Sequence, residues 1–146
     1  MIKKIKPVIG RDDVVDFPMF GLVGVPVKID SGAFTSTIHC SKIKENAGEL
    51  AVVFLSKKHE AYTGDYYIFN DFSVKKVKSS NGQIQERYTV KGDILIFGKK
   101  YKTEFTLSKR SNMKYPVLLG RKLLNKRFLI DTSLSNQSLN SKNQTI

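Results

Sequence analysis

The chain has no tryptophan, one cysteine and four prolines, and its 13 acidic residues are outnumbered by 25 lysines and arginines. Each shortage excludes something. A lone cysteine, Cys40, rules out an internal disulfide and fits a reducing compartment. No Cys-x-x-Cys pair is present, which removes the commonest structural zinc layouts. No apolar run approaches the ~18 residues of a membrane-spanning helix. The N-terminal Met1-Ile2-Lys3-Lys4-Ile5-Lys6-Pro7 is basic and lacks the apolar stretch of a secretory leader. A cytoplasmic chain with no membrane partner is therefore expected. No glycine-rich phosphate loop occurs, so ATP is not expected to bind.

The shortage of acid leaves a net charge of +12, which favours acidic partners by long-range attraction: nucleic acid, an anionic surface or acidic polypeptide. The cations are spread along the chain in small groups such as Lys75/Lys76/Lys78 and Lys99/Lys100/Lys102. Such lysines also suit exposed strand edges, where they oppose aggregation.

A length of 146 residues suits one domain. Residues 1–132 carry the apolar patterning and are expected to fold. Residues 133–146 are mainly Ser, Asn and Gln with a single charge, Lys142, and are expected to be a disordered tail. The patterning before the tail is that of strands. Val23, Val25, Val27 and Ile29 alternate with smaller or polar residues, which predicts one apolar face. Residues 49–55 and 66–77 read as strand. Ser79-Ser80-Asn81-Gly82 is a hairpin signal, because Asn-Gly tolerates positive φ. Ile84 to Val90 alternates after it, and residues 94–97 and 101–107 read as a second hairpin around Gly98. Residues 116–119 are a short buried strand, 121–125 a short helix and 128–131 a closing strand.

Three features carry chemistry. Lys28-Ile29-Asp30-Ser31-Gly32-Ala33 delivers an aspartate to the end of a strand, with a hydroxyl beside it and a glycine that allows a sharp turn. Alone, Asp-Ser-Gly is an ordinary β-turn. Val117-Leu118-Leu119-Gly120-Arg121 supplies an aliphatic strand ending in glycine that can thread beneath the Asp30 loop. The hairpin with its tip at Ser80-Asn81-Gly82 lies between them, where a lid over a cleft belongs.

In that order, these segments resemble the retropepsins, the homodimeric aspartic peptidases of retroviruses. They are closer still to the bacterial retropepsin-like family labelled "ATP-dependent zinc protease" and associated with RimK-type glutamate ligases. The matching segments also include Thr35-Ser36 with His39, Glu86-Arg87, Arg110-Ser111-Asn112-Met113 and Phe128-Leu129-Ile130-Asp131, and cover about residues 8–132. The resemblance implies an all-β, single-lobe closed barrel with one short helix after the Leu-Leu-Gly motif. It implies a homodimer in which one Asp30 per subunit activates a water to hydrolyse a peptide bond in a polypeptide, with an acidic or glutamate-tailed protein as a candidate substrate. Ser31, Gly32 and Ala33 would form the active-site loop and Ser80, Asn81 and Gly82 the flap. Leu118, Leu119, Gly120 and Arg121 would support loop and dimer. Phe34 stands where the bacterial family has an arginine and where retroviral members place an aspartate that pairs with the arginine of the Gly-Arg motif, so Arg121 lacks that partner.

No metal and no cofactor are expected. His59-Glu60-Ala61-Tyr62-Thr63 begins like a zinc-peptidase helix motif but has Thr63 in place of the second histidine. His39 reads as a core or cleft-wall residue and Cys40 as a small buried hydrophobe. The rival reading is a non-catalytic module on the same fold that recognises acidic polypeptide or nucleic acid. Nucleic acid is the less favoured partner, because alternation already explains the aromatics at Tyr66, Tyr67, Phe69 and Phe72. Asp131-Thr132-Ser133 lacks the glycine of a second catalytic triplet and reads as a turn.

Overall fold

The structure is a computed structural model that describes residues 5–78, 81–110 and 112–142. Among them run β1 (Val8–Ile9), β2 (Asp12–Phe17), a 3-10 turn (Pro18–Phe20), β3 (Leu22–Ile29), β4 (Ser36–Asn46), β5 (Glu49–Phe54) and β6 (Tyr66–Phe69). There follow β7 (Ser73–Lys78), β8 (Ile84–Ile96), β9 (Lys99–Ser108), β10 (Val117–Leu119), α1 (Arg121–Leu124), β11 (Leu129–Ile130) and α2 (Gln137–Ser141).

Six strands close a barrel in the order β10, β3, β2, β8, β9, β4, and β10 returns to pair with β4. This is the all-β closed barrel expected from the sequence, with α1 directly after Gly120. β10 is the closing stave. It lies parallel to β3, with Leu119 opposite Ile29, and antiparallel to β4, with Val117 opposite Ile38. β5 and β6 extend the sheet from β4, and β7 folds back on the first half of β8.

The alternation of side chains fills the interior. β2 buries Asp13, Val15 and Phe17 and leaves the residues between half-exposed. Phe17, Ile38, Ile94, Ile96, Phe105 and Leu119 are wholly enclosed. An aromatic cluster seals one side: Phe20 stacks on Phe54 at 4.4 Å between centroids, and Tyr67 packs against Phe69 at 4.6 Å. Tyr67 and Phe69 thus face the core, whereas Tyr66 lies outside beneath Lys42.

Three expectations need correcting. First, Val23 does not join the inner face of β3; it is 73% exposed, and Leu22 is buried instead. Gly24 adopts φ +70° and its N–H bonds to Asp16 Oδ1 at 2.8 Å. The β2–β3 register shifts at this point, so the two sides of the strand exchange roles. Second, residues 66–77 are two strands, broken at Asn70–Phe72. Third, the polar segment from Ser133 is seated on the barrel as far as Lys142 instead of being disordered. The Asp13 carboxylate, 1% exposed, accepts the N–H groups of Ser138 and Leu139 and so caps α2. Ser138 Oγ accepts the N–H of Phe97 at 2.8 Å. Leu134 O accepts the N–H of Arg11 and lies against Gly10, where a Cβ would collide with it. Hydrogen bonds to Asp13 and to the Phe97 N–H tie this segment to the barrel. Ser79, Ser80, Ser111 and residues 143–146 lie outside the described residues.

Candidate active site

The Asp30 loop begins where β3 ends. The Asp30 N–H donates to Leu119 O at 2.9 Å, which continues the β3–β10 ladder by one step. The chain then turns: Ala33 N–H reaches Asp30 O at 3.2 Å, and Gly32 N–H reaches Asp30 Oδ1 at 3.0 Å. Asp30 is half-buried, and Ser31 and Gly32 are exposed. The loop therefore presents a carboxylate that is orientated by its own backbone and open to whatever lies above it.

The Leu-Leu-Gly-Arg segment braces the loop from below. Leu119 is wholly buried. Gly120 N–H donates to Ser36 Oγ at 3.0 Å, while Arg121 and Lys122 N–H donate to the carbonyls of Ala33 and Phe34 at 2.8 and 2.9 Å. Arg121 Nη1 donates to Ser31 O at 2.9 Å, and its guanidinium lies 5.9 Å from the centre of the Phe34 ring. An aromatic face and a backbone carbonyl thus occupy Arg121, answering for an acidic residue at position 34. Sequence reading placed Ser36 in the matching Thr35-Ser36 segment and gave it no role; its buried hydroxyl finds its partner 84 residues away.

The β7–β8 hairpin borders a groove that also takes in Lys28 of β3 and Leu118 of β10. Its tip includes Asn81 and Gly82, with Gly82 at φ +84° and Asn81 Oδ1 accepting the N–H of Gln83 at 3.3 Å. Ser80 of the expected flap lies outside the described residues. Gln85 to Tyr88 of the returning strand line this groove, of about 1090 Å³, together with Lys28, Thr37 and Leu118 and with Lys109, Arg110, Met113, Lys114 and Tyr115. Leu118 of the motif thus faces the groove, whereas Leu119 faces the core. Asp131 is a turn residue: its Oδ1 accepts the N–H and the hydroxyl of Ser133.

His39 and His59 meet away from this loop, with ring centroids 5.7 Å apart. His39 Nδ1 and His59 Nε2 are buried without a hydrogen-bond partner among the described residues, while His59 Nδ1 accepts Ser56 N–H at 3.2 Å. No group of three or more His, Cys, Asp or Glu placed to hold a metal ion occurs among the described residues. Burial pushes the Cys40 thiol well up, so it is not a ready thiolate. Burial, then neighbouring positive charge, also holds both imidazoles below their ordinary value: Lys58 acts on His39, and His39 and Lys58 act on His59. In the unfolded chain they gain protons near about pH 6.5; in the fold they resist until lower pH. Stability from the pair is complete above that value and falls as the pH drops through it. The denaturation midpoint is expected to fall between about pH 7 and about pH 5, with a smaller decline in His59→Gln. An equal decline in that variant would show that other groups carry the effect.

A strand-borne Asp-Ser-Gly loop, braced by an aliphatic strand ending in glycine and set in a six-strand barrel, defines one lobe of a retropepsin-like protein. The family profile described as "RimB-like: Retropepsin-like aspartic endopeptidase RimB" matches residues 8–139, and the chain belongs to that family. Among curated relatives, a probable alpha-L-glutamate ligase of Shewanella halifaxensis (strain HAW-EB4) is 34% identical over 136 residues, covering 89% of this chain and 29% of the relative. One of Desulfotalea psychrophila (strain LSv54 / DSM 12343), with the same description, is 29% identical over 135 residues, covering 88% of this chain and 29% of the relative. The chain therefore spans less than a third of the length of these relatives, and the ligase name belongs to the whole relative. Among solved structures, a Legionella pneumophila protein of unknown function (DUF785) superposes with a TM-score of 0.64 at 20% identity, covering 90% of this chain and 98% of the other. That likeness shows the fold. No helix among the described residues is long and apolar enough to cross a membrane.

Proposed function

We propose that this chain is half of an aspartic endopeptidase, completed when two copies bring their Asp30 carboxyls together on a two-fold axis. The observation that carries the reading is the Asp30 loop: a half-buried carboxylate fixed by Gly32 N–H and carried on a backbone pinned to Leu119. Family membership supports the same reaction class. Two carboxylates held close share one proton, as in aspartic proteases generally. The ionised one takes a proton from the water between them, and the protonated one donates a hydrogen bond to the scissile carbonyl. Water adds to that carbonyl, the amine leaves with a proton, and no covalent enzyme intermediate forms. The β7–β8 hairpin would close over an extended substrate and supply backbone hydrogen bonds.

The substrate is proposed to be polypeptide rich in acidic residues, including glutamate tails. The +12 charge suits it, and relatives named as glutamate ligases join this domain to proteins named for glutamate chemistry. Cleavage of a Glu-rich peptide, followed against protein concentration, tests the half-site. Specific activity is expected to rise with concentration to a plateau, as assembly of an isologous dimer requires. Constant specific activity in a protein that sediments as a monomer would overturn it.

A further inference from the structure

A second groove, of about 630 Å³, shares no lining residue with the groove beside the β7–β8 hairpin. Lys6, Lys99, Lys100, Lys102, Lys126 and Arg127 line it, and no acidic residue among the described ones does. All six cations are exposed. None joins a salt bridge among the described residues; the pairs that form are Lys122–Glu104 and Lys142–Asp16. Asp93 stands opposite Lys102 on the β8–β9 ladder without a salt bridge to it. Protection of a strand edge accounts for Lys99 to Lys102, because β4 pairs with β9 only from Phe105 onward. It does not account for Lys6, Lys126 and Arg127, which lie outside the strands. Six cations gathered in one concavity focus their field on whatever enters it. Their charge exceeds that of any single phosphate or carboxylate group, so the ligand that matches it carries several anionic groups in a row.

Three segments remote in sequence meet here, and packing fixes their spacing. Phe128, 6% exposed, contacts two of them: its ring centre lies 5.4 Å from that of Tyr101 and 6.2 Å from that of Phe97. Phe97 and Gly98 both have positive φ, as a tight two-residue hairpin turn requires, and Lys99 and Lys100 follow directly. The Pro7 carbonyl accepts the Leu129 N–H at 3.1 Å, which holds the segment bearing Lys6 beside β11. Thr103 and Phe105 face the core, so Lys100 and Lys102 share the outward face of β9, about 6.7 Å apart along the strand. Lys126 adopts φ +67°, a conformation that glycine takes without strain; a lysine keeps it here, at the edge of the groove. The one aromatic ring at the groove is already engaged. Lys99 Nζ lies 5.4 Å from the centre of the Tyr101 ring and the Arg127 guanidinium 5.9 Å, so the ring is not free to stack on a base.

We infer that this groove binds the phosphate backbone of nucleic acid without reading its bases. Five of the six cations are lysines, point charges that suit phosphate and lack the fork by which arginine takes a carboxylate. The sixth, Arg127, already directs Nη1 to the carbonyls of Lys122 and Leu123, at 3.3 and 3.0 Å. An anionic bilayer also attracts basic clusters, but a flat surface meets projecting residues, and these cations surround a hollow. The inference does not rest on the peptidase reading, because no residue of the Asp30 loop takes part in it.

The test titrates the full chain against a fluorescein-labelled, mixed-sequence RNA of about 20 nucleotides, read by anisotropy at several salt concentrations. Lys100→Gln/Lys102→Gln is expected to weaken binding by about 10- to 30-fold at about 0.1 M salt. The same variant is expected to flatten the slope of log K against log salt by about 1.4, the share of two phosphate contacts on a single strand. Lys75→Gln/Lys76→Gln removes equal charge from β7 and is expected to change affinity by less than about 3-fold. Lys126→Gly separates binding from folding. It removes one groove charge together with the left-handed lysine, so it is expected to melt no lower than the parent yet to bind RNA about 5-fold more weakly. Oligo(U) and oligo(A) of equal length are expected to bind within about 3-fold of each other, since no ring is offered to a base. Failure of the parent to bind RNA at about 0.15 M salt would overturn the site. So would an equal loss in the Lys75/Lys76 control, which would make the binding a matter of net charge. A polyglutamate peptide, or vesicles rich in phosphatidylglycerol, whose binding is lost in the groove variants while RNA binding survives, would also overturn it, because the groove would then serve carboxylates or a bilayer. Peptide cleavage enters none of these readouts, so an inactive Asp30 leaves them unchanged.

Discussion

Asp30→Asn is expected to lower kcat for peptide hydrolysis by at least ~10³-fold while leaving the fold intact. The amide has nearly the shape of the carboxyl, and its oxygen can still accept the Gly32 N–H that orients the side chain. What it cannot do is take a proton from water. Asp30 is half-buried and joins no ion pair among the described residues, so the change in stability should stay within about 1 kcal/mol. Mixing gives a second readout. If two copies supply one site, an equimolar mixture of parent and variant, after subunit exchange, leaves about a quarter of the dimers with two aspartates, assuming random pairing. A chain that works alone would retain half. Hydrolysis that survives in Asp30→Asn would mean that the chemistry lies elsewhere, and the β3–β10 geometry would be that of a binding module.

The parts of this site that could be read from the sequence are those whose partners are local or periodic. Asp30 follows an alternating strand, and Leu119-Gly120 announces a buried strand with a stop; both signals sit in a window of a few residues. The errors came where a distant polar group decided the outcome. Alternation puts Val23 inside β3, but Asp16 captures the Gly24 N–H and the strand changes sides there. The segment after Ser133 looks soluble because its anchors are hydroxyls and backbone groups. Asp13 reaches it across 125 residues, a partner that no pattern within the segment reveals. Ser36, 84 residues from Gly120, was invisible for the same reason. The groove cations read as scattered surface charge because Arg11, Lys28, Arg87 and Arg110 belong to separate segments; only the closure of the barrel assembles them.

Gly120→Ala tests whether the strand below the loop is what holds Asp30 in place. A Cβ at this position would lie 2.8 Å from the carbonyl oxygens of both Ala33 and Phe34 and 2.9 Å from the Phe34 carbonyl carbon. Gly120 has φ −100°, an ordinary value, so the penalty is contact and not torsion. These atoms are backbone, and no side-chain rotation relieves them. The two carbonyls accept the N–H groups of Arg121 and Lys122, so moving them away strains or breaks both bonds. Overpacking with partial loss of two hydrogen bonds is expected to cost about 3 kcal/mol, a fall of roughly 10 °C in Tm for a domain of this size. Activity is expected to fall further than the folded fraction does. The loop that must shift spans Ala33 and Phe34, and it is tethered to Asp30 through the Ala33 N–H bond to Asp30 O and the Arg121 bond to Ser31 O. Gly82→Ala is the useful contrast: nothing lies within 4 Å of its added Cβ, so its cost comes from the positive φ alone and falls on the hairpin tip. If Gly120→Ala melts with the parent and cleaves with the parent's kcat, the Asp30 loop is fixed by something other than the glycine contact. If it melts lower but keeps full kcat in its folded fraction, the contact serves stability alone, and placement of the carboxylate is left to Gly32 and the β3–β10 ladder.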